Sequence, residues 1–351
     1  MLKKFFKYFF VAVVAIAAIN IFAYYQNVNY PSGGGAAEFV VTPGESIKAI
    51  SRNLYADGFI KSKIYFEFYV WQAGKEKDLQ AGTYSLDGKM TIKDIVKLLA
   101  SGKANSREKE ITIIPGWTLS DIADYLAKQD VASSSVFFKI TGLPRKNYQA
   151  IKNAADRPKD YSAQFDFLAD KPKNYGLEGY LFPDTYRIYK DAGAADVIEK
   201  MLANFGGKLS PDLRAELKKQ DKTIYEIVTM ASIVEKEVSK TEDMKIVAGI
   251  FWKRIGIGMP LQSDATLTYA LGENKASHTI AETKTDSPYN TYKYRGLPPG
   301  PICNPSLEAI EAAIYPVATA YSYFLSRPDT GETIFSKTLE EHNQNKARYL
   351  K

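Results

Sequence analysis

Glu235 is the residue whose type and placement could do chemistry. Thr223-Ile224-Tyr225-Glu226 has the form of a capping box, in which the threonine accepts from a helix amide and the glutamate reaches back to the cap, so a helix starts there. At about 100° per residue, Val228 lies about 20° to one side of Glu235, and Ile224, Ala231 and Val238 lie about 20°, 40° and 60° to the other. Glu235 therefore falls inside the apolar stripe, whereas Glu226 and Glu237 are turned about 160–180° from it, where water is expected. A carboxylate facing an apolar interior is costly when ionised, so its pKa is expected to rise and leave a proton on the group near neutral pH. That is what a general acid for a glycosidic bond requires. The same placement suits a structural glutamate paired with Arg or Lys, and helix geometry alone leans to that second reading.

The flanking segments would position the acid near a helix end. Ser239-Lys240-Thr241-Glu242 reads as a second capping box, opening a helix through Met244, Val247, Ala248, Phe251 and Ile255 that Gly256 and Gly258 end. Leu261-Gln262-Ser263-Asp264-Ala265-Thr266 follows. From Asp286 to Pro305 the chain carries five prolines among Tyr289, Asn290, Tyr292 and Tyr294. Such loops offer rigid tyrosine faces and an amide for a cleft wall against sugar rings, or simple packing. Beyond them, a helix after Asn304-Pro305, a hairpin across Asp329-Thr330-Gly331 and a last helix capped at Thr338 read as scaffold.

Composition narrows the function classes. The 351 residues, 45% hydrophobic and 25% charged, suffice for two or more domains. The formal charge of +6 falls to about +3 without Lys3, Lys4 and Lys7, and the remaining lysines are dispersed among nearly as many carboxylates, which argues against nucleic acid. One cysteine, Cys303, forms no internal disulfide. With only His278 and His342 beside it, neither a metal site nor any other cofactor is expected. Neither histidine lies in a nucleophile motif.

The stretch from Tyr8 to Asn27 is uncharged and Phe9 to Tyr25 almost wholly apolar, close to the roughly 20 residues that cross a bilayer. Three lysines precede it, which places the N-terminus inside and the rest of the chain outside. Ala15-Ile16-Ala17 fits a signal-peptide cleavage pattern, but cutting there would leave apolar Ala18 to Tyr25 on the mature end, so the reading is an uncleaved anchor. The expected organisation is a cytoplasmic tail at 1–7, an anchor at 8–27 and a flexible linker at 28–37. A small α+β module at 38–105 and a mixed α+β catalytic domain at 106–351 complete it.

An internal repeat accompanies this division. Val40-Val41-Thr42-Pro43-Gly44 followed by Ile47, Ile50 and Leu54 reads as strand, turn and helix. Thr112-Ile113-Ile114-Pro115-Gly116 followed by Leu119, Ile122 and Leu126 repeats it 72 residues later, with Ser46 and Thr118 as helix caps. Phe66 and Phe138 extend the match, making 106–145 a repeat-like subdomain. Gly82 to Leu86 suggests a strand between them, and Thr91 caps a helix from Ile92 to Ala100. The first unit resembles a LysM module, which implies peptidoglycan contact; a pair of units serving as a spacer is the other reading.

Gly176-Leu177-Glu178-Gly179-Tyr180-Leu181-Phe182-Pro183-Asp184-Thr185-Tyr186, then Ala231-Ser232-Ile233-Val234-Glu235-Lys236-Glu237, then Leu261 to Asp264, Ser287 to Tyr292 and Gly296 to Ile302, resemble the motifs of the endolytic murein transglycosylase family, also called YceG-like. The resemblance covers nearly the whole chain. It implies an α+β fold with one N-terminal transmembrane helix in a bacterial inner membrane, and an extracytoplasmic lyase that cuts MurNAc-GlcNAc bonds within nascent peptidoglycan strands. The product would carry a 1,6-anhydro-MurNAc end. It also implies peptidoglycan strands, the membrane and peptidoglycan synthases as partners, and it carries the catalytic role to Glu235. Gln262, Asn290 and Tyr292 are the candidates for orienting the sugar, with Asp264 a possible second carboxylate. A hydrolysing muramidase, with Asp264 or Asp184 opposite Glu235, and a non-catalytic peptidoglycan-binding membrane protein are the alternatives. Two departures from the family pattern, Ser306 after Asn304-Pro305 and Thr333 before Phe335-Ser336-Lys337-Thr338, are expected not to touch the acid.

Overall fold

A computed structural model describes residues 2–33, 35–102, 108–273, 275 and 278–350. The chain is mixed α+β and divides into two compact units, residues 1–109 and 110–351, each with its own apolar core. The expected boundary between 105 and 106 lies outside the described residues.

The first unit opens with α1 (Leu2–Asn29), whose stretch Phe6–Asn29 is long and apolar enough to cross a bilayer. The helix runs two residues past Asn27, and Val28 is buried in the core of the unit. The order is then β1 (Ala37–Val41), α2 (Ile47–Ala56), α3 (Lys63–Gln72), β2 (Gly82–Leu86) and α4 (Ile92–Ala100). β1 and β2 pair antiparallel with Phe39 opposite Tyr84, and both rings are buried with Leu54, Phe66 and Leu99. Ser46, Ser62 and Thr91 cap the three helices through side-chain acceptance of a backbone N–H, so these starts are encoded locally.

The second unit begins alike, with β3 (Glu108–Thr112), α5 (Leu119–Lys128) and α6 (Ser134–Thr141). Gly44 and Gly116 take the same left-handed turn, with φ of 79° and 81°, and Thr118 caps α5 as Ser46 caps α2. The likeness extends further than the sequence suggests. After an intervening 142–184 the chain returns as β4 (Thr185–Tyr189), which pairs with β3, and α7 (Ala194–Lys208), so both units share the order strand, two helices, strand, helix.

The rest is helical: α8 (Pro211–Lys219), α9 (Ile224–Glu237), α10 (Thr241–Gly256), α11 (Asp264–Leu271) and α12 (Leu307–Ile314), then the hairpin β5 (Tyr323–Ser326) and β6 (Thr333–Ser336), and α13 (Leu339–Tyr349). The capping box expected at Ser239 does not form. α10 starts one residue later with Lys240 as its cap and no side-chain cap bond, because Val238 leaves α9 in an extended conformation and the connection is too short for a further turn. α9 packs against α10, α11 and α12, and residues 227–234 are all buried. It is the central helix of the unit rather than an amphipathic one with a wet face.

The loops around it are tied to one another and to neighbouring helices by buried polar groups. Asn304 is fully buried, accepts the Leu181 N–H at 2.9 Å and donates to the Trp117 carbonyl at 2.9 Å. Its backbone exchanges bonds with Gly116 and Trp117 on the repeat turn. Glu178, only 7% exposed, accepts from the Leu119 N–H at 2.9 Å and from the Tyr269 hydroxyl at 3.0 Å. Burial pushes its carboxyl up to about 8, against the lowering effect of those two bonds. At Gly179, φ is 89° and an added Cβ would stand 2.4 Å from Pro301 and 3.0 Å from Val228 of α9.

Gly179→Ala is therefore expected to lower stability by about 2–4 kcal/mol in a denaturant melt, strain and overpacking adding. Because the carboxyl of Glu178 titrates above its ordinary value of 4.5 in the native state, folding favours its protonated form. Stability should be full at low pH and fall as pH rises from about 4.5 through 8, by a few kcal/mol. Thermal melts of Glu178→Gln across that range should show a flatter decline than the parent chain.

Candidate active site at the end of helix α9

The last turn of α9 ends between the N-termini of two other helices. Glu235 faces one of them: its Oε2 accepts from the Ser306 N–H at 3.0 Å and from the Ser306 hydroxyl at 2.5 Å, and Ser306 is the cap of α12. The Ser306 hydroxyl in turn accepts the Ala309 N–H at 3.2 Å. A carboxyl beside helix-terminal N–H groups meets donors and the positive end of a helix dipole. The apolar pocket expected around Glu235 is thus open on one side to polar groups, although Val228 and Ala231 beside it are buried as the helix count requires. The expectation that Ser306 does not touch the acid is overturned: this side chain holds it. Among the described residues no hydrogen bond reaches Glu235 Oε1, and Cγ of Glu235 lies 3.8 Å from where a Cβ on Gly116 would stand. The repeat turn thus closes the same side.

Glu237 corrects a second expectation. Instead of facing water it is half-buried, and its Oε1 accepts from the Ser263 hydroxyl at 2.5 Å at the N-terminus of α11, with the Ala265 N–H also directed at it. Burial pushes this carboxyl up to about 7, with Ser263 opposing and Asp264 adding to the rise. Glu237 stands in the wall of an open cleft, where solvent tempers the effect more than at Glu178. The helix count misplaced it because α9 is surrounded on every side; position about the axis decides only which neighbour a residue meets.

The cleft has a volume of about 940 Å³ and takes in Glu237, Gln262, Asp264, Tyr292, Arg254 and Tyr323. Two of the three expected sugar-orienting residues, Gln262 and Tyr292, thus come together with Asp264, the possible second carboxylate. Gln262 is exposed at φ 52°, a left-handed conformation costly for a non-glycine residue, and its N–H donates to the Thr291 carbonyl at 3.1 Å. Ser263 N–H donates to the Thr291 hydroxyl at 3.1 Å, and the Tyr292 hydroxyl donates to Asp264 Oδ1 at 2.6 Å. The Gln262-Ser263-Asp264 turn and the tyrosine loop are in this way one wall. Asn290 is the exception. It is fully buried and donates to the Thr283 and Thr285 carbonyls at 3.0 and 2.8 Å, while its Oδ1 accepts the Tyr292 N–H, so it braces the loop instead of lining the cleft. Tyr289 is buried against Tyr269, and Tyr294 donates to Asp286 outside the cleft.

The opposite wall comes from the C-terminal segment, which sequence reasoning treated as scaffold. Tyr323 of β5 and His342 of α13 stack with ring centroids 5.4 Å apart and both line the cleft. Burial lowers the proton affinity of His342, aided by Lys346 and Arg254. Arg254, 6% exposed, donates to the Leu261 and Ser322 carbonyls and so joins the two walls. Glu235 does not itself line this cleft, but its neighbour Lys236 does, and the Lys236 ammonium stands 3.4 Å from the Gly116 carbonyl. Asp184 is engaged elsewhere, by Asn204 and Lys208.

Comparison with known proteins places this arrangement. The YceG-like family matches residues 39–348. The endolytic murein transglycosylase of Bacillus subtilis (strain 168) is 34% identical over 325 residues, covering 92% of this chain and 84% of that protein. The endolytic murein transglycosylase of Streptococcus pneumoniae serotype 2 (strain D39 / NCTC 7466) is 31% identical over 370 residues, covering 99% of this chain and 65% of that longer protein. The crystal structure of a yceG-like protein from Listeria monocytogenes superposes with a TM-score of 0.58 at 35% identity, covering 88% of this chain and 98% of that one. A match over so much of the sequence, with the same fold, means that the chain belongs to the YceG-like family.

Proposed function

We propose that this protein is a membrane-anchored endolytic lytic transglycosylase of peptidoglycan, with Glu235 as its acid and base. The names of the related proteins support the reaction class, and the observation that carries the residue is the half-pinned carboxyl of Glu235. With Oε2 held by Ser306, Oε1 is the oxygen left to carry the proton. Glu235 protonates the oxygen leaving MurNAc C1, that bond breaks with its electrons going to the GlcNAc oxygen, and positive charge develops at the anomeric carbon. The carboxylate then takes the proton of the C6 hydroxyl as its oxygen bonds to C1. Glu235 is thereby reprotonated and the 1,6-anhydro ring closes without water. Gln262, Asp264 and Tyr292 would hold the strand along the cleft, which starts at Lys236 next to Glu235. The long apolar stretch of α1 supports the anchor, and the burial of Val28 favours an uncleaved helix continuous with the first unit. The lysines ahead of it support an N-terminus inside and both units outside. The strand-helix-helix-strand order of that unit supports a LysM-like glycan contact.

Purified protein acting on isolated glycan strands, with mass spectrometry of the ends, should give anhydro ends, and Glu235→Gln should reduce them at least about 100-fold with an unchanged circular dichroism spectrum. Reducing ends from the parent chain would instead make the enzyme a muramidase, and anhydro ends undiminished in the variant would remove Glu235 from the chemistry. Ser306→Ala deletes both the hydroxyl donor to Glu235 and the cap of α12. It should cost about 1 kcal/mol of stability, lower kcat about 10-fold with little change in KM, and alter the pH profile of cleavage. A purely structural serine would leave that profile in place.

A further inference from the structure

Helix α3 presents an outer apolar face that stays largely exposed among the described residues. Its inner side places Phe66 and Val70 in the core of the first unit, fully buried, yet its outer side carries Ile64, Phe68 and Trp71 at positions i, i+4 and i+7, exposed at 74%, 46% and 61%. A helix apolar on both faces needs two apolar neighbours, and protein supplies one. What lies beside the outer face is read from α1. Tyr24 of α1 packs edge-on against Phe68 and Tyr65 at centroid distances of 5.3 and 5.8 Å, and its hydroxyl donates to Gln72. At about 1.5 Å per residue, Tyr24 stands about 27 Å along the helix from Phe6, where the apolar stretch begins, against a hydrocarbon core of about 30 Å. The outer face of α3 is therefore level with the outer edge of the bilayer that α1 would span. Tryptophan, tyrosine and phenylalanine are the residues that settle at that depth, and Lys61 and Lys63, both exposed, flank the stripe as headgroup partners.

We propose that α3 is an interfacial helix that lays Ile64, Phe68 and Trp71 into the outer leaflet beside α1, giving the first unit a second hold on the lipid surface and fixing its orientation above the membrane. This rests on the reading of α1 as an anchor. The occupant is lipid because the exposed stripe is continuous with the membrane-spanning helix, and α3 together with α1 forms part of a single compact unit.

The test uses the full chain in phosphatidylethanolamine and phosphatidylglycerol vesicles, with Trp117→Phe and Trp252→Phe leaving Trp71 as the sole tryptophan. Trp71 emission should be blue-shifted and quenched strongly by a nitroxide near the lipid headgroup, weakly by one at the acyl terminus. Should the double variant fold poorly, Ile64→Cys in the parent background carries a nitroxide instead, Cys303 being fully buried. That label should relax with dissolved oxygen in preference to an aqueous nickel chelate. Protein retained by the vesicles through an alkaline wash, but with Trp71 unquenched or the Ile64 label in water, overturns the interfacial helix while leaving the anchor intact. Concentration-dependent broadening between Ile64 labels would assign the face to a second copy and overturn it as well. Loss of the protein at the alkaline wash overturns the anchor itself.

Discussion

The last turn of α9 depends on two carboxyl groups being received by two helix N-termini. Glu235 meets the cap of α12 and Glu237 the cap of α11, so one short stretch of backbone is held from both sides by hydroxyls and N–H groups that would otherwise lack partners. The two glutamates are about 200° apart around the helix, and this divergence separates their surroundings. One carboxyl stands at the repeat turn, held through one of its oxygens by Ser306; the other lies in the cleft wall, where burial favours its proton. Both arrangements depend on where the starts of α11 and α12 are held, because each serine hydroxyl reaches its carboxyl directly.

That precision is maintained by a buried polar network. Asn304 links the Pro115-Gly116 turn, the Gly176–Tyr186 segment and the approach to α12, and Glu178 links α5 to α11. Buried polar groups are costly unless each finds its partner, so the network tolerates one arrangement of these loops and penalises the rest. Ser232 adds a bond from α9 to the same loop, accepting the Ile302 N–H at 2.9 Å. The prolines at 298, 299, 301 and 305 stiffen the loop between these fixed points.

The repeat acquires a division of labour in the same frame. In the first unit the turn after the strand carries no neighbour within 4 Å of where a Cβ on Gly44 would stand; in the second, the corresponding glycine lies against Glu235 and Lys236. The shared scaffold of strand, left-handed glycine and capped helix thus stands beside the proposed acid in one copy. In the other, its α3 face and the end of α1 form an apolar surface suited to lipid.

Whatever depends on nearest neighbours along the chain was legible in the residues alone. The caps at Ser46, Thr91, Thr118, Thr223 and Thr338, the apolar stretch of α1, the hairpin at Asp329-Thr330-Gly331 and the placement of Glu235 among Val228 and Ala231 all follow from groups within a few residues of one another. Motif order added the family. What remained hidden needed partners distant in sequence: Ser306 is 71 residues from the carboxyl it holds, Ser263 is 26 from Glu237, and the aromatic wall of the cleft comes from a C-terminal segment with no signal of its own. Helical periodicity marks which face a residue occupies but not whether that face meets water, a cleft or another helix. For Glu237 and Asn290 the surroundings became visible in the packed fold, because burial and hydrogen-bond partners are properties of the packed neighbours and not of the residue's own turn.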